Sequence, residues 1–314
     1  MSHPDLPAGM TVLERGWLSS NNILLHGVTP EEGAVLVDTG YSSHREQTLA
    51  LIAESLRPGE KLRLIANSHL HSDHCGGNAA LSAKYRCPVL IPPGEFAAIL
   101  AWDESALSFR ATGQYCEQFS PTGKLIPGEA LYQGGHEWQI HSAPGHDPHS
   151  VILFEPENRT LISADALWER GFGIVFPELD GEHAFAQVGV TLDLIESLDP
   201  RIVIPGHGSP FKDAQAALSS ARGRLEYFQR EPRKHAMHAA KALTVFHMLE
   251  AQACPTEDLV EWLASTPILV QTWRRFFDSD PLHGWAAQLV QNLVLAGALR
   301  QDSTPIRTIS AASG

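Results

Sequence analysis

His69-Leu70-His71-Ser72-Asp73-His74 follows directly on the apolar run Leu62-Arg63-Leu64-Ile65-Ala66, so four metal-capable side chains crowd into six residues at the end of a predicted strand. That crowding constrains the fold, which must bring this strand end to a place where further donors can reach it. Imidazole and carboxylate suit zinc and its first-row neighbours, and on an extended segment His69 and His71 face the same side. Chance clustering is the weaker reading, because so dense a group of donors rarely lacks a chemical reason.

The rest of the chain can house such a site. Its 314 residues, 43% of them hydrophobic, suffice for one large domain or a large and a small one. A formal charge of −13 argues against broad binding to nucleic acid or to an anionic membrane. The four cysteines, Cys75, Cys87, Cys116 and Cys254, show no C-x-x-C spacing, so neither a disulfide framework nor a thiolate zinc site is indicated. The first residues lack a basic start followed by an apolar block, and no window approaches the roughly 18 apolar residues of a membrane span. The expectation is a cytoplasmic protein.

From Thr11 to about Pro210 short apolar runs alternate with turn signals, as at Asn22 to Leu25, Ala34 to Val37, Arg63 to Ala66, Val89 to Ile91, Ser150 to Phe154, Thr160 to Ser163 and Arg201 to Ile204. Between them lie helix-like stretches, His44 to Leu56, Gly77 to Tyr85 and Glu182 to Leu198, the last with Phe185, Val188, Leu192, Ile195 and Leu198 at helical spacing. Strands mixed with helices indicate an α/β layered domain over residues 1–212. Residues 213–314 read instead as a helical domain with almost no strands, including a helix from Trp285 to Leu299 and a frayed tail from Ser303 to Gly314.

Three later residues sit where a strand meets a loop and can complete the first cluster. His146 lies in Ala143-Pro144-Gly145-His146, Asp165 follows Leu161-Ile162-Ser163-Ala164, and His207 lies in Ile204-Pro205-Gly206-His207-Gly208. Alone, each has an ordinary explanation, a surface histidine or, for Asp165, a helix cap. Their shared placement favours a common site.

In this order, H-x-H-x-D-H, P-G-H, an Asp after a strand and P-G-H-G resemble the metallo-β-lactamase superfamily over about residues 10 to 210. The resemblance adds Asn22 and Val37-Asp38-Thr39-Gly40, whose Asp would support the site, with a plain Asp-Thr-Gly turn as the equal alternative. It implies an α/β fold, the αβ/βα sandwich of two facing mixed sheets with helices outside. Carried over position by position, His69, His71 and His146 would hold one metal, Asp73, His74 and His207 the other, and Asp165 would bridge them. The implied cofactors are two divalent ions, zinc first, with iron or manganese as alternatives. The implied catalytic groups are Asp73 and Asp165 with a metal-bridging water, whose hydroxide attacks a carbonyl polarised by one metal. Weakly, the C-terminal helices resemble the winged-helix appendage of glyoxalase-II-like and lactamase-B-like relatives.

The chain departs from the common pattern after His146, where Asp147-Pro148-His149-Ser150 replaces Thr-x-Gly-Ser. His149 is thus a candidate for the pocket, with an exposed loop position as the plainer reading. Trp168, Phe172 and Phe176 follow Asp165 on a glycine-containing loop and are candidates for substrate contact; for Trp273, Phe276 and Phe277 core packing is the better reading. Cys75 reads as a small buried residue at the Gly76-Gly77 helix start. Arg222, Arg224, Arg230, Arg233, Lys234 and Lys241, with His235 and His238, form a basic stretch that could meet an anion, with a solvated helix face as the simpler account. A bridging Asp165 resembles thioesterases, lactonases and ribonucleases more than zinc β-lactamases. The expected function is hydrolysis of a small ester, thioester or lactone. The alternatives are a single-stranded RNA or phosphodiester hydrolase and a non-catalytic metal-binding regulator. A small-molecule carbonyl compound is the expected partner, with a homodimer left open.

Overall fold

A computed structural model of the chain describes residues 6–302 and the backbone of 305–308. One sheet runs β1 (Met10–Leu13), β2 (Asn22–Leu25), β3 (Ala34–Val37), β4 (Leu62–Ala66), β5 (Val89–Ile91) and β6 (Gly123–Lys124) in that order. Its β1–β3 pairs are antiparallel and its β3–β6 pairs parallel. The second has the order β11-β10-β9-β8-β7, from β7 (Ala130–Gln133), β8 (His136–Ser142), β9 (Val151–Glu155), β10 (Thr160–Ala164) and β11 (Ile202–Pro205).

Period-two patterning explains why the sheets face each other. In β3, Val35 and Val37 point to a core shared with Val151 and Leu153 of β9, Ile162 of β10 and Ile204 of β11. The alternate residues Ala34 and Leu36 face outward. There they meet Ile52 of α1 (Arg45–Ser55), Cys75 of α2 (Ser72–Cys75), Leu81 of α3 (Asn78–Tyr85), Ile99 of α4 (Phe96–Ala101) and Phe109 of α5 (Ser108–Thr112). Beyond β10 lie α6 (Phe176–Asp180) and α7 (Phe185–Leu198), and after β11 comes α8 (Ala214–Arg230). The outer face of the second sheet, with Ile152, Phe154, Leu161 and Val203, is covered by Val188, Leu192 and Ile195 of α7 and Leu218, Ala221 and Leu225 of α8. Helix, sheet, sheet and helix layers make the sandwich the motif implied. The β7–β8 hairpin was not anticipated, because in His136-Glu137-Trp138-Gln139-Ile140 only Trp138 and Ile140 turn inward.

A separate core begins with α9 (Pro232–Ala251) and adds α10 (Thr256–Ser265), α11 (Pro267–Phe276) and α12 (Leu282–Leu295). The expectation of a nearly strand-free region needs correction. Ala253–Pro255 (β12), Leu299–Gln301 (β13) and Pro305–Thr308 (β14) form an antiparallel sheet in the order β12-β14-β13, so helices and a terminal hairpin together have a winged-helix arrangement. Leu299 is accordingly a strand residue, because Gly297 adopts a left-handed φ of 73° after α12. Part of the expected frayed tail is thus paired strand, and residues 303, 304 and 309–314 lie outside the described residues. Trp273, Phe276 and Phe277 belong to this second core, in line with the packing reading.

Candidate metal centre

All four donor segments leave one edge of the sandwich. His69 to His74 follow the end of β4, Asp165 follows β10 and His207 follows β11. His146 lies on the β8–β9 turn, and β8 runs the same way as β10 because both are antiparallel to β9. Strand ends hold such groups more firmly than free loops do. The segments are also lashed together by backbone bonds: Val151 N–H donates to Ser68 O (2.8 Å), Asn21 N–H to Gly206 O (2.7 Å) and Thr39 N–H to His74 O (2.7 Å).

Two glycines are required by close approach. A Cβ on Gly206 would lie 2.1 Å from Asp165 Oδ1, and one on Gly145 would lie 2.6 Å from Val188 Cγ2 and 3.0 Å from the α7 backbone. The motif glycines thus admit the neighbouring ligand and the helix behind it. Ala164, just before Asp165, has φ of 44°, and Asp38 has φ of 57°. Each departure costs about 1–3 kcal/mol, which the surrounding packing must offset.

Seven donors converge as three overlapping groups: His69, His71 and His146; His69, His74 and Asp165; and Asp73, His74 and His207. Asp165 lies between the outer two, with Oδ1 3.5 Å from His74 Nε2 and Oδ2 3.4 Å from His146 Nε2 and 4.0 Å from His207 Nε2. Asp73 Oδ2 is 3.0 Å from His207 Nε2. The spacing suits a dinuclear site.

The remaining ring nitrogens are held from behind. His146 Nδ1–H donates to Ile174 O (2.5 Å), His207 Nδ1–H to Gly16 O (3.1 Å) and His74 Nδ1–H to Asp38 Oδ2 (2.8 Å). Asp38 also accepts from the Ser68 amide (2.8 Å) and hydroxyl (2.7 Å), and that hydroxyl faces His69 Nδ1 at 3.1 Å. Such bonds fix the rings with the inner nitrogen aimed at the centre, where a bound cation would take its lone pair in place of a proton. His74 Nε2 and His146 Nε2 are buried without a hydrogen-bond partner, and His69 Nε2 stands 3.0 Å from His71 Nδ1. Inward-facing orphan nitrogens among carboxylates fit a divalent cation.

The two halves differ electrostatically. Burial, reinforced by neighbouring imidazoles, holds His69 well below the ordinary histidine value and His71 down at about 4. Around His74 burial acts the same way, but Asp38, Asp165 and Asp73 outweigh it and raise the group well above its usual value. Burial would raise Asp73 and Asp165, yet His74 and His207 bring both below the ordinary carboxylate range. His69 and His71 therefore offer neutral imidazoles, while Asp73 and Asp165 offer ionised carboxylates. Behind His71 lies the Asp147 carboxylate at 3.8 Å, and burial with that charge pushes nearby Glu95 up to about 8.

The centre opens into a cavity of about 610 Å³. Phe176 packs edge-on to His71 at 5.2 Å, Trp168 Nε1–H donates to Asp165 Oδ1 (3.1 Å), and Phe172 also lines the space. His149 does not: it is exposed, its ring lies over Gly94, and it is absent from the cavity wall. The Asp147-Pro148 turn directs it outward, so its candidacy for the pocket is corrected. Trp17 was missed. It stacks on His207 at 5.4 Å with an interplanar angle of 12°, although 49% of it remains exposed. Only its aromatic character marked it, and no spacing tied it to the motif. Cys75 is fully buried, as expected, with its Sγ 3.7 Å from that of Cys116. Asn22 Nδ2–H donates to Asp38 O (3.1 Å), which supports the turn beneath the site.

Comparison with known proteins agrees with this fold. Residues 15–207 match the family model of the metallo-beta-lactamase superfamily. A hydroxyacylglutathione hydrolase of Rhodopseudomonas palustris (strain HaA2) is 32% identical over 126 residues, 40% of this chain and 42% of that one. An N-acyl homoserine lactonase of Bacillus cereus is 28% identical over 240 residues, covering 64% of this chain and 91% of the lactonase. The chain thus spans less than half the length of the Rhodopseudomonas hydrolase it matches. A solved beta-lactamase domain protein from Burkholderia ambifaria aligns with 98% of this chain and 95% of its own at a TM-score of 0.58 and 20% identity, a likeness of fold. A protein solved in a di-iron-bound form is 27% identical, covering 67% of this chain and 98% of its own at a TM-score of 0.53.

Proposed function

We propose, given that this chain belongs to the metallo-β-lactamase superfamily, that it is a metal-dependent hydrolase that cleaves a small ester, thioester or lactone with zinc as its resident ion. The observation that carries the proposal is the pair of donor triads joined at Asp165 and opening into a largely apolar cavity. His69, His71 and His146 would hold one ion and Asp73, His74 and His207 the other, with Asp165 between them. Two such ions, when bound, lower the pKa of a shared water towards neutrality and polarise a carbonyl oxygen.

The chain's own residues do the rest. Asp38 and the Ile174 and Gly16 carbonyls orient the ligand rings. Asp73 lines the cavity, and we assign to its ionised carboxylate the uptake of the proton that the attacking water releases and the transfer of that proton to the departing oxygen or sulfur. Phe176, Phe246 and Leu249 keep water from the reacting carbonyl and accept an apolar acyl segment. The relatives named for hydroxyacylglutathione and for N-acyl homoserine lactone support carbonyl chemistry. A net charge of −13 supports a small substrate over a polynucleotide.

Metal content by mass spectrometry, together with turnover on thioester, ester and lactone panels before and after chelation, tests the reading. We expect activity on one panel, lost with the metal and restored by zinc. Full activity after complete metal removal would overturn it, and selective cleavage of single-stranded RNA would move the assignment to a nuclease.

A further inference from the structure

Arg224 presents an unpaired charge to the cavity. Its guanidinium lies 5.3 Å from the centre of the Phe228 ring and 5.9 Å from that of Phe172, and its stem crosses Gly171, where a Cβ would lie 2.9 Å from Arg224 Cδ. Its hydrogen bonds are a long one to Arg170 O (3.4 Å) and one to His238 Nε2 (2.6 Å). Among the described residues no carboxylate forms an ion pair with it. Two residues earlier on α8, Arg222 is held by Asp193 and Glu196, each at 2.7 Å. The contrast matters, because a half-buried cation without a counter-charge is costly to desolvate.

His238 and Lys241 face the same space from α9. Burial, with the charges of Arg224 and Lys241, pushes His238 down to about 4, so at neutral pH its Nε2 accepts from Arg224. Lys241 has no hydrogen bond or ion pair among the described residues. Of the carboxylates lining the cavity, Asp73 and Asp165 belong to the metal centre and Glu169 is exposed. Arg170, which is exposed as Glu169 is, also lines the cavity, as do Thr112 and Gln114, and most of the remaining wall is apolar, with Phe172, Ile174, Phe176, Val245, Phe246 and Leu249.

We infer that Arg224 and Lys241 form an anion subsite, and that the substrate carries a carboxylate or phosphate joined through an apolar segment to the reacting carbonyl. The substrate class rests on the hydrolase reading above; the subsite rests on this charge arrangement. The planar guanidinium matches the paired oxygens of either anion, and His238 and the two phenylalanines hold it in place for that contact.

Calorimetry on the zinc-loaded full chain tests the subsite with hexanoate, hexyl phosphate and 1-hexanol. At least one anion is expected to bind more tightly than hexanol. Its Kd should rise about tenfold or more in Arg224→Gln and in Lys241→Met, and remain unchanged in Lys234→Gln, whose side chain lies outside the cavity. Which anion binds distinguishes a carboxylate from a phosphate substrate. Lys241→Met guards against misfolding of Arg224→Gln, since among the described residues the Lys241 ammonium has no hydrogen bond or ion pair to lose. Equal affinity in wild type and both variants, or no preference over hexanol, would overturn the proposal. Variant-sensitive anion binding without hydrolysis of any carbonyl compound would uphold the subsite and sink the hydrolase reading.

Discussion

The two ends of the cavity are built on different principles. At the sandwich end His74, His146 and His207 each have the outer ring nitrogen tied to a fixed oxygen, and the loops that carry them are bonded across the sheets. At the helical end Lys241 has no partner among the described residues and Arg224 leans on a neutral histidine, while Val245, Phe246 and Leu249 offer shape without direction. A reaction centre must be over-determined, because small displacements of ligands cost rate. A wall that selects substrates needs only chemistry of the right sign and size, and can vary without disturbing the centre.

The comparison breaks most sharply at Asp165. Asp165→Asn, and likewise His71→Ala, should lower kcat/KM by about 10²–10³-fold or more while the fold survives. Steady-state kinetics with circular dichroism and metal analysis check this, and retained activity would mean that the two donor sets do not act together. Asp38→Ala removes none of the seven converging side chains and acts through His74 and Ser68, so a loss of ~10–100-fold in metal affinity or turnover is expected, measured by chelator competition. The smallest effect belongs to the seam between the regions. Tyr41 O–H donates to Glu250 Oε2 on α9 at 2.7 Å and accepts from the Tyr115 amide at 3.2 Å. Tyr41→Phe should cost about 0.5–1.5 kcal/mol in urea denaturation. A change in substrate preference rather than in turnover would show that this seam sets the position of the helical wall.

Legibility followed the same division. The seven side chains could be picked out because each lies where a strand meets a loop, and a strand end leaves little freedom in where its next residues point. His149 shares that context and is still exposed, with its amide bonded to Asp147 Oδ1 and its ring over Gly94 of a distant segment, a contact the local sequence does not record. Trp17 could not be found, since its stacking on His207 follows from the path of the chain between β1 and β2. The basic stretch read as one feature divides in three dimensions: Arg222 pairs on the surface, Arg233 lies over Phe277, and Arg224 and Lys241 turn to the cavity.

The motif residues alone carried the family, the sandwich and the convergence of seven metal-capable side chains, because a site of that kind needs particular side chains at strand ends and that need leaves a local record. Which cations remain unpaired, where the helical wall stands and what the cavity accepts depend on contacts between α8, α9 and the Trp168 to Phe176 loop. Those contacts join residues far apart in the chain through burial and charge balance, and no spacing along the sequence encodes them.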